Sequence, residues 1–294
     1  MKRIAIFAHF DKNDIIDDYV IYYLQGLKKV ADDIIFVSDC NLPLAETKKL
    51  NGICLKIIAQ KHGEYDFGSY KRGILEAKNI LNNYDELIIA NDSCYGPIFP
   101  FENVFKQMGQ RKCDFWGLTS SKEHHNFYYV GSYFLVFKKN VFLSDVFQNF
   151  FLNIKRLENK SKIITEYEVG LSRTLIKAGF KKDCFTKTFL NMPLVNSNAF
   201  DLFYSGFPLL KIAFLRDNPL GEGKVYRWKN YCSLKFIAMV ENHLQRVIGT
   251  NNPAIWYYKL PYINFCIFHR KFIRVLAKKV VLRVKIFGIT IIRQ

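Results

Sequence analysis

An apolar run that stops abruptly at a polar triplet constrains this chain most. Leu87-Ile88-Ile89-Ala90 is followed at once by Asn91-Asp92-Ser93 and then by Tyr95-Gly96-Pro97. Consecutive apolar residues bounded by turn formers describe a strand buried on both faces, as in a parallel sheet covered by helices. In open α/β sheets ligands sit beyond the carboxyl ends of the strands, so Asp92, delivered there together with Asn91 and Ser93, is the first candidate site residue. The competing use of Asn91 and Asp92 is to cap the Gly-Pro turn with their own side chains.

The surrounding sequence repeats this logic. Strands are expected over residues 4–10, 33–38 and 54–58, and helices over 15–30 and 69–81, the second with a serine near its start. Beyond the Gly-Pro turn come a helix over 102–108, strands over 114–118 and 128–137, helices over 141–156 and 165–178, and a strand over 184–188. Strands alternating with helices imply a mostly parallel, Rossmann-like α/β domain over residues 1–215. Residues 216–294 form a basic, aromatic C-terminal extension, with helical patterns over 233–247 and 272–284. Within the second pattern Arg270, Arg274 and Lys278 form a basic stripe suited to a membrane surface or to solvent, while the alternation at Arg283-Val284-Lys285-Ile286 fits a terminal strand equally well.

Charge narrows the partners. Lys and Arg exceed Asp and Glu by 43 to 26, a net charge of +17, which favours phosphates, anionic lipid or nucleic acid. From His269 to Gln294 Lys and Arg recur without one acidic residue, and no apolar run approaches the roughly 18–20 residues that span a bilayer. Peripheral attachment to an anionic membrane surface is therefore expected. No nucleic-acid-binding motif accompanies the charge, so nucleic acid is not an expected partner. Seven cysteines, an odd number without a Cys-x-x-Cys pair, fit free thiols in a reducing cytoplasm, and the N-terminal residues lead directly into the first strand.

Several residues beyond Asp92 carry candidate chemistry. Tyr65-Asp66-Phe67-Gly68-Ser69-Tyr70-Lys71-Arg72-Gly73 precedes a helix, whose free N–H groups and dipole favour phosphate oxygens. Lys71 and Arg72 are candidates for a diphosphate and Asp66 for a ribose or base, whereas Asp66 or Ser69 as a simple N-cap is the plainer alternative. His9 and Asp11 close the first strand on the nucleotide side. Trp116, beside Asp114, is a candidate to stack its face on a ligand ring, although core packing is the commoner fate of such a side chain. His124-His125 has the look of a ligand pair but not the spacing of one.

Three blocks, Asp66-Phe67-Gly68-Ser69-Tyr70-Lys71-Arg72-Gly73, Asn91-Asp92-Ser93-x-Tyr95-Gly96-Pro97 and Asp114-Phe115-Trp116-Gly117-Leu118-Thr119, resemble in order and spacing the rhamnan synthesis protein F family. Tyr133-Phe134-Leu135-Val136-Phe137 and Glu166-x-Glu168-x-x-Leu171-Ser172, with Gly179-Phe180 behind, extend the resemblance over residues 1–215. The resemblance implies a bacterial glycosyltransferase of GT-A-like fold that uses a nucleotide-activated sugar to build cell-surface polysaccharide or a lipid-linked glycan. Inverting transfer of L-rhamnose from dTDP-rhamnose, at the cytoplasmic face of the membrane, is the leading expectation. In that architecture an Asp-x-Asp motif holds a divalent cation against the donor diphosphate, whereas here Asn91-Asp92-Ser93 leaves Asp92 as the one metal candidate, so that either manganese or magnesium is held mainly by phosphates and water or Lys and Arg replace it. The resemblance further implies that Glu168 or Glu166 takes the proton from the acceptor hydroxyl. Two other readings stand beside it: a non-catalytic basic module binding anionic lipid or nucleic acid, and a degenerate transferase serving as a scaffold.

Overall fold

The computed structural model describes residues 1–122, 127–186, 199–218 and 225–249, with the backbone of Leu282–Ile286 and Ile289–Arg293. The chain divides into two compact units, Met1–Pro253 and Ala254–Gln294, so the first unit extends past the 215/216 boundary expected from composition. Ser233 caps the helix Leu234–Ile248 by accepting the Phe236 N–H and Gly249 ends it at φ 71°, while Phe236, Val240 and Leu244 bury it in the core of the first unit.

The strands of the first unit are β1 (Arg3–His9), β2 (Asp33–Ser38), β3 (Lys56–Ala59), β4 (Glu86–Asn91), β5 (Cys94–Tyr95), β6 (Phe115–Lys122), β7 (Tyr128–Val130), β8 (Phe134–Lys138), β9 (Lys182–Thr186) and β10 (Leu210–Lys211). Its helices are α1 (Asp18–Leu27), α2 (Leu44–Lys48), α3 (Tyr65–Ala77), α4 (Phe101–Gly109), α5 (Lys139–Phe142), α6 (Asp145–Leu152), α7 (Lys160–Ile163), α8 (Gly170–Lys177), α9 (Ala199–Tyr204), α10 (Ile212–Arg216) and α11 (Leu234–Ile248). The sheet runs β3-β2-β1-β4-β8-β6-β7, with β9 also on β6. β3, β2, β1 and β4 are parallel, β8 is antiparallel to β4 and β6, and β9 is parallel to β6. This is a mixed α/β fold with a mostly parallel central sheet.

Alternation along each strand divides the core between two faces. On β1, Ala5 and Phe7 join the cluster that contains residues of α1, α4 and α11, whereas Ile4, Ile6 and Ala8 join the cluster that contains residues of α3, α6 and α8. Helix α3 lies close against β1 because position 73 is glycine: a Cβ there would fall 2.3 Å from Ile6 Cγ2. That contact sets where the N-terminus of α3 stands relative to the strand ends.

Four local expectations shift. Helix α3 begins at Tyr65 rather than near Ser69, so Ser69 is inside the helix and buried. The expected strand over 128–137 is interrupted at Gly131-Ser132-Tyr133, and the expected helix over 141–156 is broken where Ser144 caps α6 by accepting the Phe147 N–H. The helix expected over 165–178 begins as a π-helical run, Ile164–Val169, before α8. β5 and β10 form a small antiparallel pair with no counterpart in the sequence pattern.

In the second unit, β11 (Leu282–Ile286) and β12 (Ile289–Arg293) pair antiparallel, so the alternation at 283–286 belongs to a strand. The Arg270, Arg274 and Lys278 stripe and His124-His125 lie outside the described residues. Among the described residues, no helix is long and apolar enough to cross a membrane.

Candidate active site

The carboxyl ends of β1, β2 and β4 carry polar residues out of an apolar sheet: His9, then Asp11, from β1; Ser38 and Asp39 from β2; Asn91, Asp92 and Ser93 from β4. Asp92 is buried, and its Oδ2 accepts the Phe10 N–H at 2.8 Å while its own N–H reaches Ala8 O at 3.2 Å. Burial, and then the neighbouring Asp66 carboxylate, push the Asp92 pKa well above the usual carboxylate range. His9 Nε2 stands 3.9 Å from Asp92 Oδ2, and its Nδ1 meets Ser38 Oγ at 2.9 Å. Burial lowers the His9 pKa to about 4 despite the opposing pull of Asp11, so near neutral pH the ring gives Asp92 no positive charge.

Asp66, in the first turn of α3, is joined to the end of β4 by a hydrogen bond from Asn91 Nδ2 at 2.7 Å. The loop leading into that helix is organised by Asp39, whose Oδ1 accepts the N–H groups of His62 at 2.5 Å and Gly63 at 2.8 Å. His62 Nδ1 accepts the Glu64 N–H, which leaves Nε2 to donate to Ser69 Oγ at 3.0 Å. Ser69 therefore fastens a loop and does not cap the helix. Asp39 escaped the sequence reading, although its position immediately after a strand is the same signal that singled out Asp92.

Glu166 and Glu168 part company on the π-helical run. Glu168 is half-buried and its Oε1 accepts the Ser132 N–H at 2.9 Å, in the break between β7 and β8. The same break takes the Tyr70 hydroxyl on Ser132 O at 3.1 Å, and the neighbouring Tyr133 O accepts the Asn91 N–H at 3.3 Å. Because Tyr133 bonds Asn91 and the preceding Ser132 bonds Glu168, the break carries Glu168 toward the end of β4. Glu166 is exposed on an outer recess lined by Val146, Asn149, Phe150, Asn153, Tyr167 and Thr174.

Four candidates do not join this cluster. Lys71 Nζ donates to Ile154 O at 2.7 Å, and Arg72 Nη1 donates to Glu64 Oε2 at 2.6 Å and Gly68 O at 3.0 Å, so both cations are engaged along α3. Trp116 is buried, with its ring centroid 5.1 Å from that of Phe105 and 6.2 Å from that of Phe134. Asp114 precedes β6 at the end of the strands opposite Asp92, where it accepts the Lys181 N–H at 2.8 Å and an Asn140 Nδ2 hydrogen at 3.1 Å.

Among the described residues, a cation that does reach the end of β4 is Lys211. Its Nζ donates to Ser93 Oγ at 2.7 Å and lies 4.8 Å from the centre of the Tyr133 ring, while the Ser93 hydroxyl bonds Asn91 Oδ1. On the other flank Asp11 accepts from Arg246 Nη2 at 2.6 Å. Burial raises the Asp11 pKa, but hydrogen bonds from Arg246 and the Asn13 N–H outweigh it and hold the carboxyl below its ordinary range.

A family model described as rhamnan synthesis protein F matches residues 34–215. The chain belongs to that family. Membership supports a nucleotide-sugar transferase-like role in polysaccharide synthesis, and the matched stretch contains Asp39, Asp66, Asn91, Asp92, Glu168 and Lys211. His9, Asp11 and Arg246 lie outside it. The chain is 27% identical over 264 residues to virulence protein VirA of Vibrio anguillarum, covering 77% of this chain and 83% of that protein. It is 26% identical over 163 residues to the uncharacterized protein y4gN of Sinorhizobium fredii, covering 53% and 42%. Similar solved structures include a 4-diphosphocytidyl-2C-methyl-D-erythritol synthase, at TM-score 0.41 and 9% identity over 69% of this chain and 97% of that one. Core-mannan synthase A of Aspergillus fumigatus, in its Mn/GDP form, has TM-score 0.33 and 10% identity over 50% and 63%.

Proposed function

We propose that this member of the rhamnan synthesis protein F family is an inverting glycosyltransferase that moves a sugar from a nucleotide donor to a glycan or lipid-linked glycan, with dTDP-L-rhamnose the first donor to test. The observation that supports it most is the meeting of Asp66, Asn91 and Asp92 with Glu168 at one end of the central sheet. In an inverting displacement the acceptor hydroxyl attacks the anomeric carbon, its proton passes to a base, and the bond to the diphosphate breaks on the opposite face. Glu168 is the base in this reading. Its Oε1 is fixed by Ser132, and its other oxygen makes no hydrogen bond among the described residues.

Two carboxylates at the strand ends are oxygen donors of the kind a hard divalent cation takes, although among the described residues no third His, Cys, Asp or Glu completes a metal-ligating group. Burial, and after it the Asp66 carboxylate, disfavour the charged form of Asp92, and a neighbouring pair of carboxylates is what Mg²⁺ or Mn²⁺ relieves. Asp92 and Asp66 would hold the ion, which when bound would neutralise charge on the donor diphosphate. Asn91 keeps Asp66 turned toward Asp92.

The working location in this reading is the cytoplasmic face of the membrane, where a chain of net charge +17 is attracted to anionic lipid. The test is release of nucleoside diphosphate from a panel of nucleotide sugars, with and without manganese, in the presence of membrane extract. Acceptor-dependent release from one donor is expected, and no release from any donor would overturn the proposal.

A further inference from the structure

The strand ends gather carboxylates, yet the ligand proposed for them is an anion, so a basic side chain brought there from elsewhere in the chain would add a charge-assisted contact to the diphosphate. Lys71 and Arg72, the two nearest in sequence, are engaged along α3 by Ile154, Glu64 and Gly68. Lys211 approaches from a different part of the fold, and several contacts fix where it stands. β10 pairs with β5 so that Lys211 lies opposite Cys94 and Leu210 opposite Tyr95. Ile212 N donates to Ser93 O at 3.0 Å, and Ile98 N donates to Pro208 O at 2.7 Å, which fastens residues 208–212 along residues 93–98. Phe207, Leu209 and Leu210 are buried beside this seam.

Gly96 makes the approach possible. A Cβ at that position would lie 2.5 Å from Leu209 Cδ2 and 2.7 Å from Pro208 O, so any side chain would push the lysine-bearing segment away. The Asn91-Asp92-Ser93-x-Tyr95-Gly96-Pro97 block thus supplies Asp92 and also the surface on which Lys211 is carried to it. Ser93 Oγ and the face of Tyr133 then hold the ammonium one residue from Asp92.

Building on the transferase reading, we infer that Lys211 is the diphosphate-binding cation of this site, seated by Ser93 and Tyr133 to contact the nucleoside diphosphate as the sugar leaves. Lys211 then contacts the diphosphate directly, on the side away from Asp92 and Asp66, which would hold a divalent ion. Ser93 does not serve as a replacement metal ligand; it positions Lys211.

The test is calorimetric binding of dTDP, UDP, GDP and CDP to the full chain, followed by the parent nucleoside of the tightest binder, for wild type, Lys211→Met and Lys211→Arg. Methionine keeps the apolar stem and removes the charge. Lys211→Met should weaken nucleoside diphosphate binding at least about tenfold and flatten its salt dependence while leaving nucleoside binding unchanged, and Lys211→Arg should restore part of the loss. Equal diphosphate affinity in wild type and Lys211→Met, or an equal loss of nucleoside and diphosphate binding, overturns the inference and leaves the transferase reading standing. Failure of the wild type to bind or turn over any nucleotide overturns both. Should Lys211→Met not fold, Ser93→Ala replaces it: weaker diphosphate binding with unchanged nucleoside binding supports the seat, and unchanged diphosphate binding overturns it.

Discussion

Arg246 on α11 joins the C-terminal helix of the first unit to the loop behind the candidate site, and its removal tests how that loop is held. The guanidinium bonds Asp11 Oδ2 at 2.6 Å and Asp17 Oδ1 at 3.1 Å, with a further contact to Asp17 Oδ2. Beside it His243 Nδ1 meets the Tyr95 hydroxyl at 2.6 Å. Side-chain exposures of 23% for Arg246, 12% for Asp11 and 16% for Asp17 place the cluster between surface and interior. Breaking a fully buried pair costs about 3–5 kcal/mol, and a charged hydrogen bond contributes about 1.5–3 kcal/mol, so Arg246→Met should cost about 2–3 kcal/mol. In a domain of this size that is a fall in Tm of roughly 4 to 12 °C at pH 7, measured by calorimetry or circular dichroism. The sign with pH follows from Asp11, whose folded pKa is depressed: its stabilisation is present above the unfolded value of about 4 and is lost as pH falls through the folded one. Wild type and variant should therefore converge as pH falls through the depressed folded value. The loop also presents the Phe10 N–H to Asp92, so the variant should bind nucleotide less tightly. An unchanged Tm at pH 7, or a deficit that persists undiminished in acid, would refute the account.

Asp92→Asn should abolish most donor turnover while raising Tm at neutral pH. The amide retains an acceptor for the Phe10 N–H and removes a carboxylate whose raised pKa means that its stability contribution is lost as pH rises; normal turnover, or a lower Tm, would count against this placement. Glu168→Gln should keep the Ser132 hydrogen bond and donor binding but lose transfer, whereas Glu166→Gln should transfer normally, and single-turnover assays of the two variants separate these outcomes. The intact chain should co-sediment with anionic vesicles, less at high salt and much less with neutral vesicles; equal binding to both kinds would remove the electrostatic basis for membrane attachment.

Features that announce themselves locally were legible in the sequence. β1, β2 and β4 are short apolar runs closed by polar residues, and this pattern both located the parallel core and marked Asp92 at a strand end. Asp39 carries the same local signal and went unnoticed because Ser38-Asp39-Cys40 also reads as an ordinary turn. Helix phase was harder to read: Tyr65 enters α3 at φ 57°, a conformation that non-glycine residues seldom adopt, so the real start, one turn before Ser69, had no propensity signal. A start near Ser69 puts Lys71 and Arg72 at the phosphate-facing end of the helix, whereas their contacts run along its flank to Ile154, Glu64 and Gly68.

Lys211 shows why the cation of the site was out of reach from pattern alone. A strand-end carboxylate is announced by its own strand, but Lys211 lies 118 residues after Ser93 and sits on a strand of two residues, too short to carry any periodicity. Its only local trace is on the partner segment, in the glycine at position 96, which looked like turn punctuation. The turn needs a glycine there for its φ of 154°, but the stronger constraint is the backbone of Pro208 packed where a side chain would stand. A Gly96→Ala substitution should therefore weaken diphosphate binding through displacement of Lys211, even though position 96 contributes no atom to the charge that binds.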